Sequence, residues 1–171
     1  EFRRVLFRSC NGFQALVKSG LLPYGNFEDA TETSPTLFHN DANQHVAKMV
    51  ETRIANTNSP WLLGVKVGDI HAIPVSHGEG KFVVTEEEFA ELRDNGQIFS
   101  QYVDFDGKPS MDSKYNPNGS INAIEGITSK NGQIIGKTGH SERWEDGLFQ
   151  NIPGNKDQHL FRSAVKYFTG E

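Results

Sequence analysis

The sequence has one cysteine, no long apolar run and no excess of basic residues. A single cysteine excludes a disulfide within the chain and is typical of a reducing compartment, so we expect a cytoplasmic protein. No apolar stretch has the length of a membrane span, and no segment has the pattern of a secretion signal. The formal net charge of -5 argues against broad binding to nucleic acids or to anionic membranes.

What is present fits one loop-rich globular domain. The chain has 171 residues, of which 36% are hydrophobic and 23% are charged. This length is enough to bury one core, and the composition is slightly less apolar than that of an average soluble protein. No internal repeat or linker divides the chain.

The sequence contains both strand and helix patterns. Strands are predicted at 46–54, 69–75, 81–84 and 97–103, and at 124–127 and 133–135 on either side of an Asn131-Gly132 hairpin turn. Helices are predicted at 12–20, after a capping box that pairs Thr85 with Glu88, and from about Asp157. Loops are predicted at 25–43 and 76–80. The last helix is expected to bury five apolar side chains: Leu160, Phe161, Ala164, Val165 and Phe168.

The lone cysteine, Cys10, is the first candidate for chemistry. A thiol is mostly protonated at neutral pH, so a nucleophilic cysteine needs a neighbouring imidazole to hold it as thiolate. His140 and Glu142 stand two residues apart, and on an extended stretch both would project to the same side. Glu142 would then accept a hydrogen bond from one nitrogen of His140, while the other nitrogen would face the sulfur. The alternatives are a small buried cysteine and a solvated His–Glu surface pair.

The residues around Cys10 favour the catalytic hypothesis. A nucleophile between a strand and a helix lies on a tight elbow, where the helix start supplies partial positive charge and free amides. Asn11 would donate its backbone N–H to an oxyanion. Gly12 would remove a Cβ where the strand and the helix crowd each other.

Four motifs together resemble one family. They are Cys10-Asn11-Gly12-Phe13-Gln14 followed by Leu21-Leu22-Pro23, then Pro74-Val75-Ser76-His77-Gly78-Glu79-Gly80, then Tyr115-Asn116-Pro117-Asn118-Gly119-Ser120, and last His140-Ser141-Glu142-Arg143. The first and last are similar to class I glutamine amidotransferases. The full set, in this order, resembles the glutaminase domain of phosphoribosylformylglycinamidine synthase, from about Cys10 to the C-terminus. The resemblance implies an α/β, flavodoxin-like class I glutamine amidotransferase domain.

The resemblance also implies an activity. Cys10 would attack the side-chain amide of glutamine, His140 would move the protons, and Glu142 would orient His140. The ammonia released would pass to a synthetase domain, in the same chain or a partner subunit. There ATP and Mg²⁺ serve the conversion of formylglycinamide ribonucleotide to formylglycinamidine ribonucleotide in purine biosynthesis. No phosphate loop of Walker type and no histidine cluster with metal-ligand spacing is present in this sequence.

Three further residues belong to the expected glutamine pocket only by position. His77 and Glu79 lie in a segment that is near the pocket in relatives, although its glycines could equally shape a structural turn. Gln14 is expected to pack or hydrogen-bond beneath the elbow, with direct substrate contact as the alternative. The Asn-Pro-Asn-Gly-Ser segment at 116–120 is expected to be structural, because these residues favour turns.

The sequence departs from the family pattern before Cys10. Relatives have several strands and a Gly-rich loop upstream of the nucleophile, and that loop supplies the second oxyanion amide. Here residues 1–9 look like a non-native leader. Residues 10–171 would then be an amidotransferase domain that lacks its N-terminal strands. The alternative is that residues 5–7 form a native strand. Arg8 also stands where the pattern has glycine, which should strain the turn, and Ser141 replaces a common proline.

These departures lead to an expectation for the chain by itself. Without the upstream strands, an apolar edge of the sheet would be unpaired, so the chain alone is expected to be poorly folded. Loss of one oxyanion donor costs about 3 kcal/mol of transition-state stabilisation, so the chain alone is also expected to be almost inactive. Two other interpretations remain: a free-standing glutaminase subunit, and a catalytically inactive amidotransferase-like module. A peptidase on a related fold would lack the extended motif set.

Overall fold

The computed structural model describes residues 5–170, so residues 1–4 of the predicted leader lie outside the described part. It contains both strands and helices, as the predicted α/β class requires. The strands are β1 (Leu6–Ser9), β2 (Thr36–His39), β3 (Val46–Ile54), β4 (Ile70–His77), β5 (Glu79–Val83), β6 (Ile98–Tyr102), β7 (Ile124–Thr128) and β8 (Ile134–Lys137). The helices are α1 (Asn11–Lys18), α2 (Glu86–Asp94) and α3 (Leu160–Thr169).

Six strands form one sheet in the order β1-β8-β7-β6-β3-β4, and β2 pairs with β5 in a second, two-stranded sheet. The pair β1–β8 is parallel, whereas the other pairs in the large sheet are antiparallel. Ser9 is aligned with Lys137 in this parallel pair. Because parallel neighbours end at the same edge of a sheet, the segments after β1 and β8 emerge side by side.

The large sheet is curled. The backbone N–H of His140, just after β8, donates to the carbonyl of Pro74 in β4 over 2.9 Å. These two strands lie far apart in the strand order, so the sheet must bend to bring β4 to the end of β8. The curl places segments from β1, β4 and β8 around one point.

The hairpin between β7 and β8 confirms the predicted Asn131-Gly132 turn. Gly132 has a φ of 71°, in the left-handed region that favours glycine. Its carbonyl accepts a buried hydrogen bond of 2.6 Å from the Ser59 hydroxyl. The turn is therefore packed against the preceding loop as well as joining two strands.

Helix α1 forms as predicted and buries one face. Phe13, Leu16 and Val17 are buried in a cluster with Phe82 of β5 and other apolar side chains. The rings of Phe13 and Phe82 stack with their centroids 6.1 Å apart. This packing fixes the helix, and with it the residue that precedes it, against the sheet.

The predicted start of α2 is confirmed, because the Thr85 side chain accepts from the Glu88 N–H and caps the helix. Two loop predictions were wrong in part. The segment 25–43 contains β2, and the segment 76–80 contains the end of β4 and the start of β5 with only Gly78 between them. In both cases strand pairing with distant residues outweighs the local turn signal.

The prediction for the last helix was right in position and wrong for three side chains. Leu160 and Ala164 are buried, but Phe161, Val165 and Phe168 are 47%, 62% and 54% exposed. The buried face instead includes Ser163, whose hydroxyl accepts from the N–H of Gly64. Within residues 5–170, no helix combines the length and apolar character needed to cross a membrane.

Candidate active site

Cys10 lies between the end of β1 and the start of α1. Its φ of 50° and ψ of -120° are unusual for a residue with a side chain. Such backbone strain costs on the order of 1–3 kcal/mol and persists only where the surrounding structure enforces it. Helix α1 has no side-chain cap, so the thiol stands at a helix start whose partial positive charge is not neutralised by a capping group.

His140 and Glu142 form a short hydrogen bond beyond the end of β8. Nδ1 of His140 lies 2.6 Å from Oε1 of Glu142, and the Ser9 hydroxyl donates to the same oxygen over 2.9 Å. The segment Ser141–Arg143 is a 3-10 turn rather than the extended stretch that was predicted, yet the two side chains meet. Nε2 of His140 is buried and makes no hydrogen bond of ordinary geometry, which leaves it available to the thiol.

The thiol and the imidazole shift each other's pKa. The pKa of Cys10 is lowered, chiefly by its interaction with the adjacent imidazole of His140, while burial acts against this and the N–H of Asn11 supports it. The pKa of His140 is raised to about 9 by its interaction with the adjacent thiol of Cys10 and then by its hydrogen bond with Glu142. The thiol also donates to the carbonyl of Ser76 over 3.5 Å, an ordinary distance for a sulfur donor.

Glu142 is held as a carboxylate. Burial raises its pKa, but hydrogen bonds from His140, from its own backbone N–H and from Ser9 outweigh burial and lower that pKa to about 2. An ionised acceptor at this position requires the proton of the imidazole to be on Nδ1. Nε2 can then receive the proton of the thiol, so the three side chains can act as nucleophile, base and orienting acid.

The elbow residues lie where the two elements cross. The backbone N–H of Asn11 faces the thiol. A Cβ on Gly12 would lie 2.9 Å from the Cβ of Arg8, so strand and helix approach each other closely here. Arg8 itself is in β1 with an exposed side chain that donates to the carbonyl of Phe7, and the positive φ falls on Cys10.

Gln14 and Glu79 are brought together. Nε2 of Gln14 donates to Oε2 of Glu79 over 2.6 Å and to the carbonyl of Leu37 over 3.3 Å. The other carboxylate oxygen of Glu79 lies 3.7 Å from Nδ1 of His39. An open cleft of about 490 Å³ is lined by His39, Asn43, Gln44, His45, Gly78 and Glu79.

His77 is not exposed to this cleft. It is 3% exposed, both ring nitrogens lack a hydrogen-bond partner, and burial lowers its pKa. The neighbouring Ser76 connects the cleft to the thiol, because its hydroxyl contacts Nε2 of His45 over 2.9 Å and its carbonyl contacts Cys10. The imidazole of His77 is therefore a neutral group in the wall behind the site.

The 116–120 segment makes contacts that fit a structural role. The Asn118 amide donates to the carbonyl of Gly80 over 2.8 Å and to the Tyr102 hydroxyl over 3.0 Å. The Asn116 amide donates to the carbonyl of Ser120. All three polar residues of this segment, Asn116, Asn118 and Ser120, are buried.

Sequence reasoning missed several neighbours of the site. Ser9 contacts Glu142, and Lys137 and Glu125 form a fully buried pair directly beneath the catalytic loop. The available signal was the presence of these charges inside the apolar runs of β7 and β8, since such residues are seldom buried unless paired. In the described range 5–170, no group of three or more His, Cys, Asp or Glu side chains is arranged to hold a metal ion.

Comparison with known proteins identifies similar chains. A model of the CobB/CobQ-like glutamine amidotransferase domain matches residues 5–168. The chain is 36% identical over 137 residues to phosphoribosylformylglycinamidine synthase subunit PurQ of Thermomicrobium roseum, which covers 80% of this chain and 52% of the relative. It is 31% identical over 163 residues to the same subunit of Salinibacter ruber, covering 95% and 63%.

A solved structure shares the fold. The structure of PurLQS from Thermotoga maritima matches with a TM-score of 0.69 and 23% sequence identity, over 96% of this chain and 62% of that chain. This similarity supports the α/β glutaminase fold predicted from the motifs. The chain therefore spans about half of the length of the first of these relatives and less than two thirds of the second.

Proposed function

The chain belongs to the CobB/CobQ-like glutamine amidotransferase family, and from this membership we propose that it provides the glutaminase site of a phosphoribosylformylglycinamidine synthase. One observation carries the proposal: a strained cysteine at a helix start is paired with an imidazole that a carboxylate orients. This is the arrangement that acyl transfer through a thioester requires.

The first half of the reaction forms a thioester. The Cys10 sulfur attacks the side-chain amide carbon of glutamine, and the thiol proton resides on Nε2 of His140. The carbonyl oxygen becomes an oxyanion, which the N–H of Asn11 and the start of α1 stabilise. As the tetrahedral intermediate collapses, His140 protonates the departing nitrogen and ammonia leaves.

The second half regenerates the thiol. His140 removes a proton from water, the resulting hydroxide attacks the thioester carbonyl, and glutamate leaves as the C–S bond breaks. The sulfur departs as the thiolate, which again pairs with the protonated His140. Glu142 and Ser9 stabilise the imidazolium and fix its orientation throughout, because both contacts are made before substrate arrives.

The cleft beside Ser76 is the proposed glutamine pocket. Glutamine carries an α-ammonium group, and Glu79 offers a carboxylate at the edge of this cleft. Gln14 orients that carboxylate from the side of α1, close to the nucleophile. His77 contributes to the shape of the wall, since its side chain is buried.

We further propose that the ammonia is used by a synthetase part, in the same chain or in a separate subunit. The relatives named above are called subunits, which favours a separate subunit. ATP and Mg²⁺ would be bound by that part and would serve the conversion of formylglycinamide ribonucleotide to formylglycinamidine ribonucleotide in purine biosynthesis. No step assigned to the residues of this chain uses ATP or Mg²⁺. The reaction is proposed to take place in the cytoplasm.

A diazoketone analogue of glutamine tests the proposal. This electrophile should modify Cys10 in a one-to-one ratio, excess glutamine should protect the thiol, and an equal excess of asparagine should not. The Cys10→Ala variant should take up no label, and His140→Ala should be labelled far more slowly. Modification that glutamine does not slow, or the absence of modification in a chain that is folded by circular dichroism, would contradict the proposal and favour the inactive module.

A further inference from the structure

A buried ion pair lies beneath the catalytic loop, and the mechanism above does not use it. Nζ of Lys137 lies 3.6 Å from Oε1 of Glu125, and both side chains are completely buried. Removing two charges from water is costly, and a buried pair of this kind is weak evidence for added stability. Its position at the end of β8, one residue before the loop that carries His140, suggests a different role.

Lys137 holds the residue that follows His140. Its ammonium donates to the Ser141 hydroxyl over 2.7 Å and to Oε1 of Gln158 over 2.5 Å. The carboxylate of Glu125, 3.6 Å away, is its ion-pair partner. The Ser141 hydroxyl in turn donates to the same oxygen of Gln158. Ser141 is thus fixed by one bond that it accepts and one that it donates.

Glu125 holds the residue that precedes His140. Its Oε1 accepts from the backbone N–H of Gly139 over 2.8 Å, and its backbone carbonyl accepts from the N–H of Thr138 over 3.0 Å. A Cβ on Gly139 would lie 3.0 Å from the same carboxylate oxygen. The carboxylate and the ammonium therefore hold the two residues on either side of the imidazole.

We propose that Lys137 and Glu125 are positioning residues, which fix residues 139 and 141 and thereby hold the His140 imidazole against the Cys10 thiol. The catalytic meaning of this inference rests on the proposed function, but the geometric claim does not. Misplacing a catalytic group by about 1 Å can cost up to roughly 100-fold in rate, so a rigid loop has a direct use here.

Burial is the largest influence on the pKa of Lys137 and lowers it, while the nearby carboxylates of Glu125 and Glu142 act in the opposite direction. His71 of β4 also faces this region, where burial lowers its pKa to about 4 and keeps it neutral.

The test separates positioning from folding by two kinds of variant. Ser141→Ala removes the hydroxyl held by Lys137 and leaves the Lys137–Glu125 ion pair intact. The double variant Lys137→Met with Glu125→Gln removes both charges together, so neither is left unpaired. Ser129→Ala, in the β7–β8 hairpin, is the matched control because it removes a buried serine far from the loop. Iodoacetamide alkylation of the single cysteine, followed across pH, reports the thiol pKa in each folded variant.

We expect Ser141→Ala and the double variant to raise the midpoint of the alkylation profile toward that of an ordinary thiol, and to slow labelling by the diazoketone about tenfold or more. Ser129→Ala should change neither quantity. A folded Ser141→Ala variant with the midpoint and labelling rate of the parent would overturn the proposal, whether or not the double variant folds. If the parent has a lowered midpoint but ignores the diazoketone, the proposed function fails and the alkylation profiles still decide the positioning role.

Discussion

The Glu142→Gln variant gives a quantitative test of the coupling between the carboxylate and the imidazole. The substitution keeps the shape of the side chain and removes its charge, so the hydrogen bond of 2.6 Å to Nδ1 loses its ionic character. The pKa of His140 is about 9, against 6.5 for an ordinary histidine, and Glu142 is the second largest cause of that rise after Cys10. The imidazolium should therefore be less stable in the variant.

The expected size follows from the neighbouring charge. A carboxylate in contact with a titratable group shifts its pKa by about one to three units, and each unit corresponds to about 1.4 kcal/mol. Glu142 is partly exposed to solvent, which screens the interaction, so we take the lower end of that range. The pKa of His140 should fall by about one unit, and the pKa of Cys10 should rise because the thiolate loses part of its imidazolium partner.

Proton NMR of the histidine rings measures the first shift directly, with the His140→Ala variant assigning the resonance. The rate of iodoacetamide alkylation at neutral pH should fall in parallel, while the rate at a pH where the thiol is fully ionised should not change. Glu91→Gln, which removes an exposed carboxylate paired with Lys130, is the control and should leave both profiles unaltered. An unchanged titration of His140 in a folded Glu142→Gln variant would refute the assigned orientation of the imidazole.

Three further predictions follow from the described contacts. Burial lowers the pKa of His71 to about 4, so protons bind the unfolded chain first and stability should fall as the pH drops from 6.5 to 4. In the His71→Leu variant, the loss of unfolding free energy over this pH range, measured by urea unfolding, should be smaller than in the parent by at most about 3 kcal/mol. A loss as large as that of the parent would contradict the low pKa of His71. Gly132→Ala should destabilise far more than Gly68→Ala, because both positions have positive φ but only the first would bring a Cβ to within 2.1 Å of the Asn58 carbonyl oxygen; equal melting temperatures would contradict this. Glu79→Gln should raise the glutamine concentration that protects the thiol about tenfold without changing iodoacetamide alkylation, and unchanged protection would remove Glu79 from the pocket.

The parts of the site that depend on residue type were accessible from the sequence. The four motifs together favoured catalytic roles for Cys10, His140 and Glu142, and the structure brings all three together at the ends of β1 and β8. The strand 46–54 and the Asn131-Gly132 turn were predictable for a similar reason, because alternation and left-handed glycine are local signals. The roles of the site residues remain predictions until the thiol is tested.

The parts that depend on long-range pairing were not accessible. The strand Thr36–His39 pairs with β5, and its short run of strand-favouring residues is hidden in the sequence by the turn-forming residues around it. Phe161, Val165 and Phe168 have helical spacing, but which face of α3 is buried depends on where the helix meets the loop before β4. The pairing of Lys137 with Glu125 likewise depends on the register of β7 and β8. The suggestion that residues 1–9 are a leader also remains a prediction, although residues 6–9 form β1.

The pKa of the Cys10 thiol, measured in the parent chain and in the His140→Ala variant, tests the central claim most directly. Ultraviolet absorbance of the thiolate can be followed across pH in this chain with one cysteine, and subtracting the profile of the Cys10→Ala variant removes the contribution of the tyrosines. The account predicts a midpoint well below that of an ordinary thiol in the parent and a rise toward the ordinary value once the imidazole is removed. A parent midpoint at or above the ordinary value, unaffected by His140→Ala, would contradict it.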